Sequence, residues 1–425
     1  MKNNDKTNAY DNERKKARRR LIACLLLAVT TSMTSCSGIK NVFGASTAEV
    51  QTTKSTEEQS DNETELIEAP ASDFEYEYDD NYQGIKITKY LGSAKKLIIP
   101  KEIDGKPVKA FYDYSYELGD DSIRGNRSTT DVTIQCDFID PYAFSHWETL
   151  ENVTLADGGL LISNNAFEYC TSLKNITLKG TAGIGDEGFL ACSSLTKIEL
   201  PDEMVRIGDR VFCDCVSLSQ LELPASLTEI GAGAFTNCYE LTNAAIPDSV
   251  TNIGNGAYIN CTKLASVSLP KKLRTIYPET FKGCTALTEI KLPDGLTAIE
   301  EKAFFGSGLK SVTIPASVTR MRKSVFEDCS ELEKVTVENG VTDIGWRTFV
   351  NCTSLKSIAL PESVTVIEKE TFVGCSSLTE ITFSEKLNHI GKDAFKDCDA
   401  LSVTYKGKTY NSDNFNELYD LFEQE

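Results

Sequence analysis

The chain has 425 residues, a formal net charge of −19 at pH 7, fourteen cysteines and only two histidines. A net negative charge of this size disfavours nucleic acid as a partner, because that binding depends on neutralising phosphates with Lys and Arg. The histidines, His146 and His389, are not accompanied by a nucleophile motif, a phosphate-binding Gly loop or a metal-binding motif. We therefore expect no catalysis, no metal and no cofactor.

Residues 1–35 have the pattern of an export signal. A cluster of Lys and Arg precedes a short apolar run from Leu21 to Thr30, too short for a stable membrane span. The small residues before Cys36 resemble a bacterial lipoprotein lipobox, which implies cleavage there and a lipid on Cys36 as the only membrane anchor. The alternatives are ordinary cleavage near Ala45 without a lipid, or a retained anchor. The leader holds eight basic and three acidic residues, so its removal brings the net charge to −24.

Two further segments precede the regular part of the chain. Residues 36–72 are rich in Ser, Thr and Glu and predict a disordered tether, because such a stretch cannot offset its ordering entropy. Residues 73–130 predict a strand-rich N-terminal cap followed by an irregular loop. Within them, Phe74–Tyr78 alternates aromatic with acidic residues, and Asp104–Gly105 is typical of a hairpin turn.

Residues 131–401 are dominated by a repeat of about 23 residues. Self-similarity at such a period indicates a solenoid, in which each unit packs only on its neighbours. About twelve repeats are present, and each contains one aromatic residue in the same phase: Phe144, Phe167, Phe189, Phe212, Phe235, Tyr258, Phe281, Phe304, Phe326, Phe349, Phe372 and Phe395.

The remaining positions of the repeat predict one short strand per unit. In the template from Leu218 to Cys238, the alternation around Leu221 and Leu223 indicates a strand with one buried face, and Pro224 ends it. Stacked units would align these strands in a parallel sheet on a concave side. The Ile-Gly-x-x-Ala-Phe stretch that follows predicts short helical or 3-10 turns on an outer wall.

This frame resembles the BspA-like, Treponema-type class of leucine-rich repeat. The resemblance implies a leucine-rich-repeat horseshoe or gently curved solenoid, displayed on a bacterial surface and linked to adhesion. Four residues depart from the Gly slot of the frame and leave the local curvature open: Tyr277, Glu300, Arg322 and Glu368. Residues 402–425 then predict a C-terminal cap, in which Phe415, Leu418, Tyr419 and Phe422 form one face of a short helix.

Ten cysteines share one position of the repeat. A residue locked to the phase of the core ring is a core filler, so we expect stacked free thiols, with some disulfide pairing as the alternative. Cys213–Cys215 resembles a metal or redox pair, but Cys215 is one of the slot residues and no second pair follows. The ten slot residues are Cys170, Cys192, Cys215, Cys238, Cys261, Cys284, Cys329, Cys352, Cys375 and Cys398.

Exposed aromatic residues are the candidates for partner binding. The sheet face is predicted to be small and polar, whereas protein hot spots are enriched in Trp, Tyr and Arg. Five large rings stand where most repeats have a small or polar residue, and packing over a neighbouring repeat is the alternative for each. They are Tyr277 and Trp346 first, then Tyr239, Phe305 and Tyr169.

Signal, tether and repeat array together predict an exported protein, lipid-anchored at the bacterial cell surface. It would be a monomeric solenoid that binds extracellular proteins or glycans, with no catalysis. The alternative is a structural or spacer protein of the envelope without a dedicated ligand.

Overall fold

The computed structural model describes residues 68–112, 126–155, 160–178 and 183–422. They form a parallel β-solenoid of about twelve turns, which confirms the predicted fold class. The predicted signal, the lipidation site Cys36, the tether up to residue 67 and the loop residues 113–125 lie outside the described residues.

The predicted strand is present in every repeat except the one around Glu289, which forms only an isolated bridge, and these strands form the first ladder. Its strands pair in parallel with the register of the repeat, for example Ile176 beside Val153. Their alternate side chains are exposed, as the alternation predicted. In chain order the strands are Lys96–Ile98, Asp131–Ile134, Asn152–Leu155, Asn175–Thr177, Lys197–Glu199, Gln220–Glu222, Asn243–Ala245, Ser266–Ser268, Ser311–Ile314, Lys334–Val337, Ser357–Ala359 and Glu380–Thr382.

A second ladder runs along the other side of each turn. It consists of two-residue parallel strands. These strands lie where helical or 3-10 turns were predicted to begin, and this part of the outer-wall prediction is therefore wrong. Its strands are Phe138–Ile139, Leu161–Ile162, Gly183–Ile184, Arg206–Ile207, Glu229–Ile230, Asn252–Ile253, Thr275–Ile276, Ala298–Ile299, Arg320–Met321, Asp343–Ile344, Val366–Ile367 and His389–Ile390.

The residues after each second-ladder strand form a succession of turns around the core ring, which we name the turn wall. Around Phe235, the amides of Gly233, Phe235 and Asn237 donate to the next turn, whereas those of Thr236 and Cys238 donate three residues back. Gly233 and Asn237 have left-handed φ values of 60° and 61°. Because a right-handed helix cannot propagate through alternating left-handed residues, the wall remains a series of turns.

The twelve core rings stack in one continuous row. Consecutive ring centroids lie from 5.1 Å apart for Phe144–Phe167 to 5.9 Å for Phe372–Phe395, with nearly parallel planes. All twelve rings are fully buried. Each such ring contributes roughly 1.5–3 kcal/mol through burial, but only while the neighbouring turns cover both of its faces.

The slot cysteines are buried and free, as expected. Cys238, for example, donates from Sγ to the carbonyl oxygen of Phe212 in the preceding turn at 3.2 Å. All ten repeat this contact at 3.0–3.2 Å. The thiol therefore fills core volume and also bonds one turn to the next, which an alanine could not do.

The Gly slot of the repeat lies where adjacent turns approach most closely. A Cβ on Gly254 would lie only 2.4 Å from the backbone nitrogen of Ala232 in the preceding turn. Four repeats hold a larger residue there. The second ladder is interrupted between Asn252–Ile253 and Thr275–Ile276, just before the first of these residues, and then continues unbroken through the other three. The four residues are Tyr277, Glu300, Arg322 and Glu368.

The N-terminal cap begins before residue 73, the predicted boundary. Glu68 pairs with the edge strand at Ile98, and Ala69 is buried. The edge strand needs a backbone partner, so this pairing draws the end of the predicted tether into the fold. The hairpin predicted at Asp104–Gly105 is present between Glu102–Ile103 and Lys106–Pro107, with both turn residues at positive φ.

The rest of the cap covers the first ring of the row. Phe74–Asp79 pairs antiparallel with Gly84–Tyr90, and Lys106–Phe111 joins them in parallel. Phe111 stacks on Phe144 at 4.6 Å, and Trp147, which replaces the first slot cysteine, packs against both rings. The Ala71–Asp73 segment is a single 3-10 turn.

The C-terminal cap seals the last turn as predicted. Strands Val403–Tyr405 and Lys408–Tyr410 form a hairpin, and the helix Phe415–Tyr419 follows. The ring of Phe415 packs on Phe395 at 5.5 Å. The amide of Phe395 has no following turn, and it donates to the hydroxyl of Tyr419 at 2.9 Å instead.

Tyr258 is the one core ring with a hydroxyl, and that hydroxyl is buried with no hydrogen-bond partner among the described residues. An unpaired buried polar group costs about 1–3 kcal/mol. We expect Tyr258→Phe to raise the free energy of unfolding by about 1 kcal/mol, and the matched change Phe281→Tyr to lower it. Urea unfolding measures both. A less stable Tyr258→Phe variant would contradict this.

Stability should fall steeply in alkali. Burial raises the pKa of the Cys284 thiol to about 12 and that of the Cys329 thiol to about 11. The folded chain therefore keeps protons that the unfolded chain, with thiol pKa values near ~8.5, has lost. Each thiol's contribution is complete below about pH 8.5 and declines by about 1.4 kcal/mol per pH unit above it.

Urea unfolding at a series of pH values checks this dependence. Ser307 occupies the cysteine slot of its own repeat, three residues after Phe304. We expect Cys284→Ser, which makes the same replacement, to reduce the alkaline slope by about one proton. Stability that stays constant to about pH 10 would show that the thiols are not buried as described.

Candidate partner-binding site

The structure separates the five candidate aromatic residues into two groups. Tyr169, Tyr239 and Tyr277 are 43%, 40% and 37% exposed and belong to three different repeats. Tyr169 stacks on His146 of the preceding turn at 4.7 Å, which is the alternative foreseen for it. Phe305 and Trp346 line one depression in the turn wall.

Repeat register determines the surroundings of Trp346. The indole stands three residues before Phe349, and Lys323 and Lys369 hold the same position in the preceding and following repeats. Their ammonium groups lie 4.5 Å and 4.4 Å from the indole centroid. Cation–π contacts of this kind contribute about 0.5–1 kcal/mol each at an exposed site. The indole N–H is buried and has no hydrogen-bond partner among the described residues.

Phe305 borders the same depression from an earlier repeat. It directly follows the core ring of Phe304, so it points away from the core and remains half-buried. The ammonium of Lys282 lies 5.8 Å from its ring centroid. The depression has a volume of about 380 Å³, and we name it the turn-wall depression; its lining is Lys302, Phe305, Lys323, Ser324, Glu327, Trp346 and Arg347.

Arg347 holds the floor of this depression in place. Its guanidinium pairs with Glu327 of the preceding turn and with Glu370 of the following turn, the latter at 2.9 Å. Burial opposes ionisation of Glu327, but the hydrogen bonds that Arg347 donates to it outweigh burial and lower the pKa of this carboxyl. The same pairing with Glu327, followed by that with Glu370, raises the pKa of Arg347. The carboxylate and the guanidinium therefore both remain charged.

A second depression, of about 730 Å³, lies on the first ladder. It occurs where the repeat between Ser266–Ser268 and Ser311–Ile314 contributes only an isolated bridge, from Glu289 to Ser311. Glu289, Lys291 and other polar residues line it, and no aromatic residue does. This face is small and polar, as the sequence predicted, and it offers no ring as an anchor.

The sequence did not indicate a buried polar cluster beside His146. Ser145 donates to Glu168 at 2.9 Å and lies 2.8 Å from Nδ1 of His146, while Asn165 donates to Glu168 and Glu187. Ser145 and Glu168 are both buried. Because the serine hydrogen bonds the carboxylate, the group is held as a structural network between turns. The sequence signal that could have identified this cluster is the alignment of its unusual polar residues across neighbouring repeats.

Cys213 and Cys215 do not form a site together. Cys213 lies on the turn wall, with Sγ 3.5 Å from a carboxylate oxygen of Asp214, whereas Cys215 points into the core toward Phe189. Across residues 68–112, 126–155, 160–178 and 183–422, no group of three or more His, Cys, Asp or Glu is arranged to hold a metal ion. In the same part of the chain, no helix is long and apolar enough to span a membrane.

Comparison with known proteins identifies relatives of the fold. The family model of the BspA-type leucine-rich repeat region, six copies, matches overlapping stretches 116–204, 137–265, 182–310 and 297–417. A leucine-rich repeat protein from Bacteroides ovatus is 25% identical with a TM-score of 0.53, over 77% of this chain and 80% of its own. A leucine-rich cell surface protein from Faecalibacterium prausnitzii is 25% identical with a TM-score of 0.51, over 80% and 95%. No curated protein sequence matches.

Proposed function

The chain belongs to the BspA-type leucine-rich repeat family, and we propose that it is a cell-surface binding or adhesion protein. Its solenoid would contact extracellular proteins or glycans without catalysing a reaction. One of the similar solved structures is itself described as a cell surface protein, which supports the location. The turn-wall depression supports the binding role most directly, because it brings Phe305 and Trp346 together outside the core.

The stiffness of the scaffold suits this role. Adjacent turns are joined by the ring row and the thiol row and, along most of the array, by two ladders, so the surface residues are fixed by repeat register. A site on a rigid scaffold loses little conformational entropy when it binds a partner. The same scaffold without an exposed anchor would suit only a spacer, which is the alternative role.

The proposed location depends on the leader. We propose cleavage before Cys36, a lipid on that cysteine, and residues 37–67 as a tether that carries the solenoid away from the envelope. Mass spectrometry of the mature N-terminus distinguishes this from unlipidated cleavage near Ala45, because the acyl chains add a large and characteristic mass.

A binding array tests the function. We expect the chain from Ser37 to Glu425, which keeps all of the described core, to bind at least one immobilised matrix protein or glycan. Phe305→Ala with Trp346→Ala should weaken that binding by about tenfold or more, as loss of aromatic anchors does at interfaces. Tyr239→Ala with Tyr277→Ala removes the same number of rings elsewhere and serves as the matched control.

The control pair also discriminates between surfaces. If the control variant loses binding and the Phe305–Trp346 variant keeps it, the binding site lies at the exposed tyrosines and not at the depression. No binding across a broad array would favour the spacer role over the proposed function.

A further inference from the structure

We infer that the turn-wall depression binds acidic sugars, that is, glycan units carrying carboxylate or sulfate groups. This rests on the proposed binding function and assigns the ligand class of the same site.

The charge of the depression is the first step. Its lining holds three cations, Lys302, Lys323 and Arg347, against the single carboxylate of Glu327. Arg347 is paired with Glu327 and also with Glu370 of the following turn, so the positive charge that remains is that of the two lysines. Lys302 forms no ion pair within the described residues, and Lys323 has only a 3.6 Å contact with Glu301. The depression is therefore locally positive on a chain whose formal net charge is −19, which favours an anionic ligand.

The aromatic residues are the second step. Phe305 and Trp346 are both half-buried and border the cationic lining. Pyranose rings present a face of C–H groups that packs on aromatic surface while their substituents remain free for hydrogen bonds. The unpartnered indole N–H of Trp346 offers a donor to a ligand that displaces one covering lysine.

The size of the depression favours a sugar over a protein face. About 380 Å³ lies at the lower end of small-ligand sites, which span roughly 300–1,000 Å³. A stable protein interface needs about 800 Å² on each partner, with a desolvated apolar centre. Here only two rings are apolar, and charged side chains surround them.

The first-ladder depression is larger but lacks this combination. Lys291 and Lys334 are offset there by Glu289, Asp294 and Glu338, and no aromatic residue lines it. Neither its charge nor its surface selects an acidic sugar.

Titration of the mature chain with four polymers tests the inference. Heparin carries sulfate and carboxylate groups, hyaluronan carries carboxylates only, dextran is neutral, and polyglutamate is an acidic peptide. We expect heparin or hyaluronan to bind with an affinity that declines as salt is raised, and dextran not to bind. Calorimetry gives the affinity. The other tryptophan, Trp147, is buried beside the N-terminal cap, so a change in tryptophan fluorescence that Trp346→Ala abolishes reports contact at the depression.

Variants place the binding at the depression. We expect Lys302→Gln with Lys323→Gln to weaken heparin binding by about tenfold or more, through the loss of two charge-assisted contacts. Trp346→Ala should weaken it too. Lys271→Gln with Lys272→Gln removes the same charge from an exposed turn away from the depression and should change the affinity by less than about twofold. Circular dichroism and melting temperature establish first that each variant is folded.

Three results would overturn the inference. They are the absence of heparin and hyaluronan binding, equal weakening by both lysine pairs, and polyglutamate binding as tightly as the glycans through the same residues. If these occur while the array yields a partner bound elsewhere, the proposed function stands and only its ligand class is wrong.

Discussion

The rest of the structure depends on two contacts between neighbouring turns. Each core ring stacks on the core ring of the next turn, and the backbone amide of the ring residue donates a hydrogen bond to that next turn. Neither contact can form within a single 23-residue unit, because both need the neighbour. The ends of the array show this most clearly. At one end, the ring of Phe111 covers Phe144. At the other end, the hydroxyl of Tyr419 accepts the hydrogen bond from the amide of Phe395, which has no following turn to accept it.

The same register places the surface chemistry. A side chain at a given position of one repeat lies beside its equivalents in the two adjacent turns, so a change in three consecutive repeats produces a local patch. Lys323, Trp346 and Lys369 are such a set, and their contacts follow from spacing alone. A solenoid can therefore acquire a binding site through substitutions that leave its core rings and thiols unchanged.

The sequence predicted the architecture because its strongest signals are periodic. Ring spacing and thiol phase identified buried residues correctly. Three of the four residues predicted for the apolar face of the last helix are buried in it, whereas Phe422 lies beyond the helix end at Tyr419 and is half-buried. The second ladder was missed because a two-residue strand such as Glu229–Ile230 is too short to show alternation. Phe111 was missed because the loop before residue 131 interrupts the period.

The candidate site was predictable only in part. Aligning the repeats indicates that Trp346 lies between two lysines, but Phe305 occupies a different position two repeats earlier. Whether those two rings converge depends on side-chain directions in the turns, which alternate between right- and left-handed backbone. Sequence position therefore identified five rings outside the core without showing which of them share a depression.

Deletion of part of the array tests most directly whether neighbouring turns stabilise one another. Removing Thr236–Tyr258, a whole turn, places Phe281 next to Phe235 in register, whereas removing Thr236–Pro247 shifts every later ring out of phase. We expect thermal unfolding of the first variant to remain cooperative near the parent's melting temperature, and the second to lose its cooperative transition. Equal damage from both deletions would contradict a fold held together turn by turn.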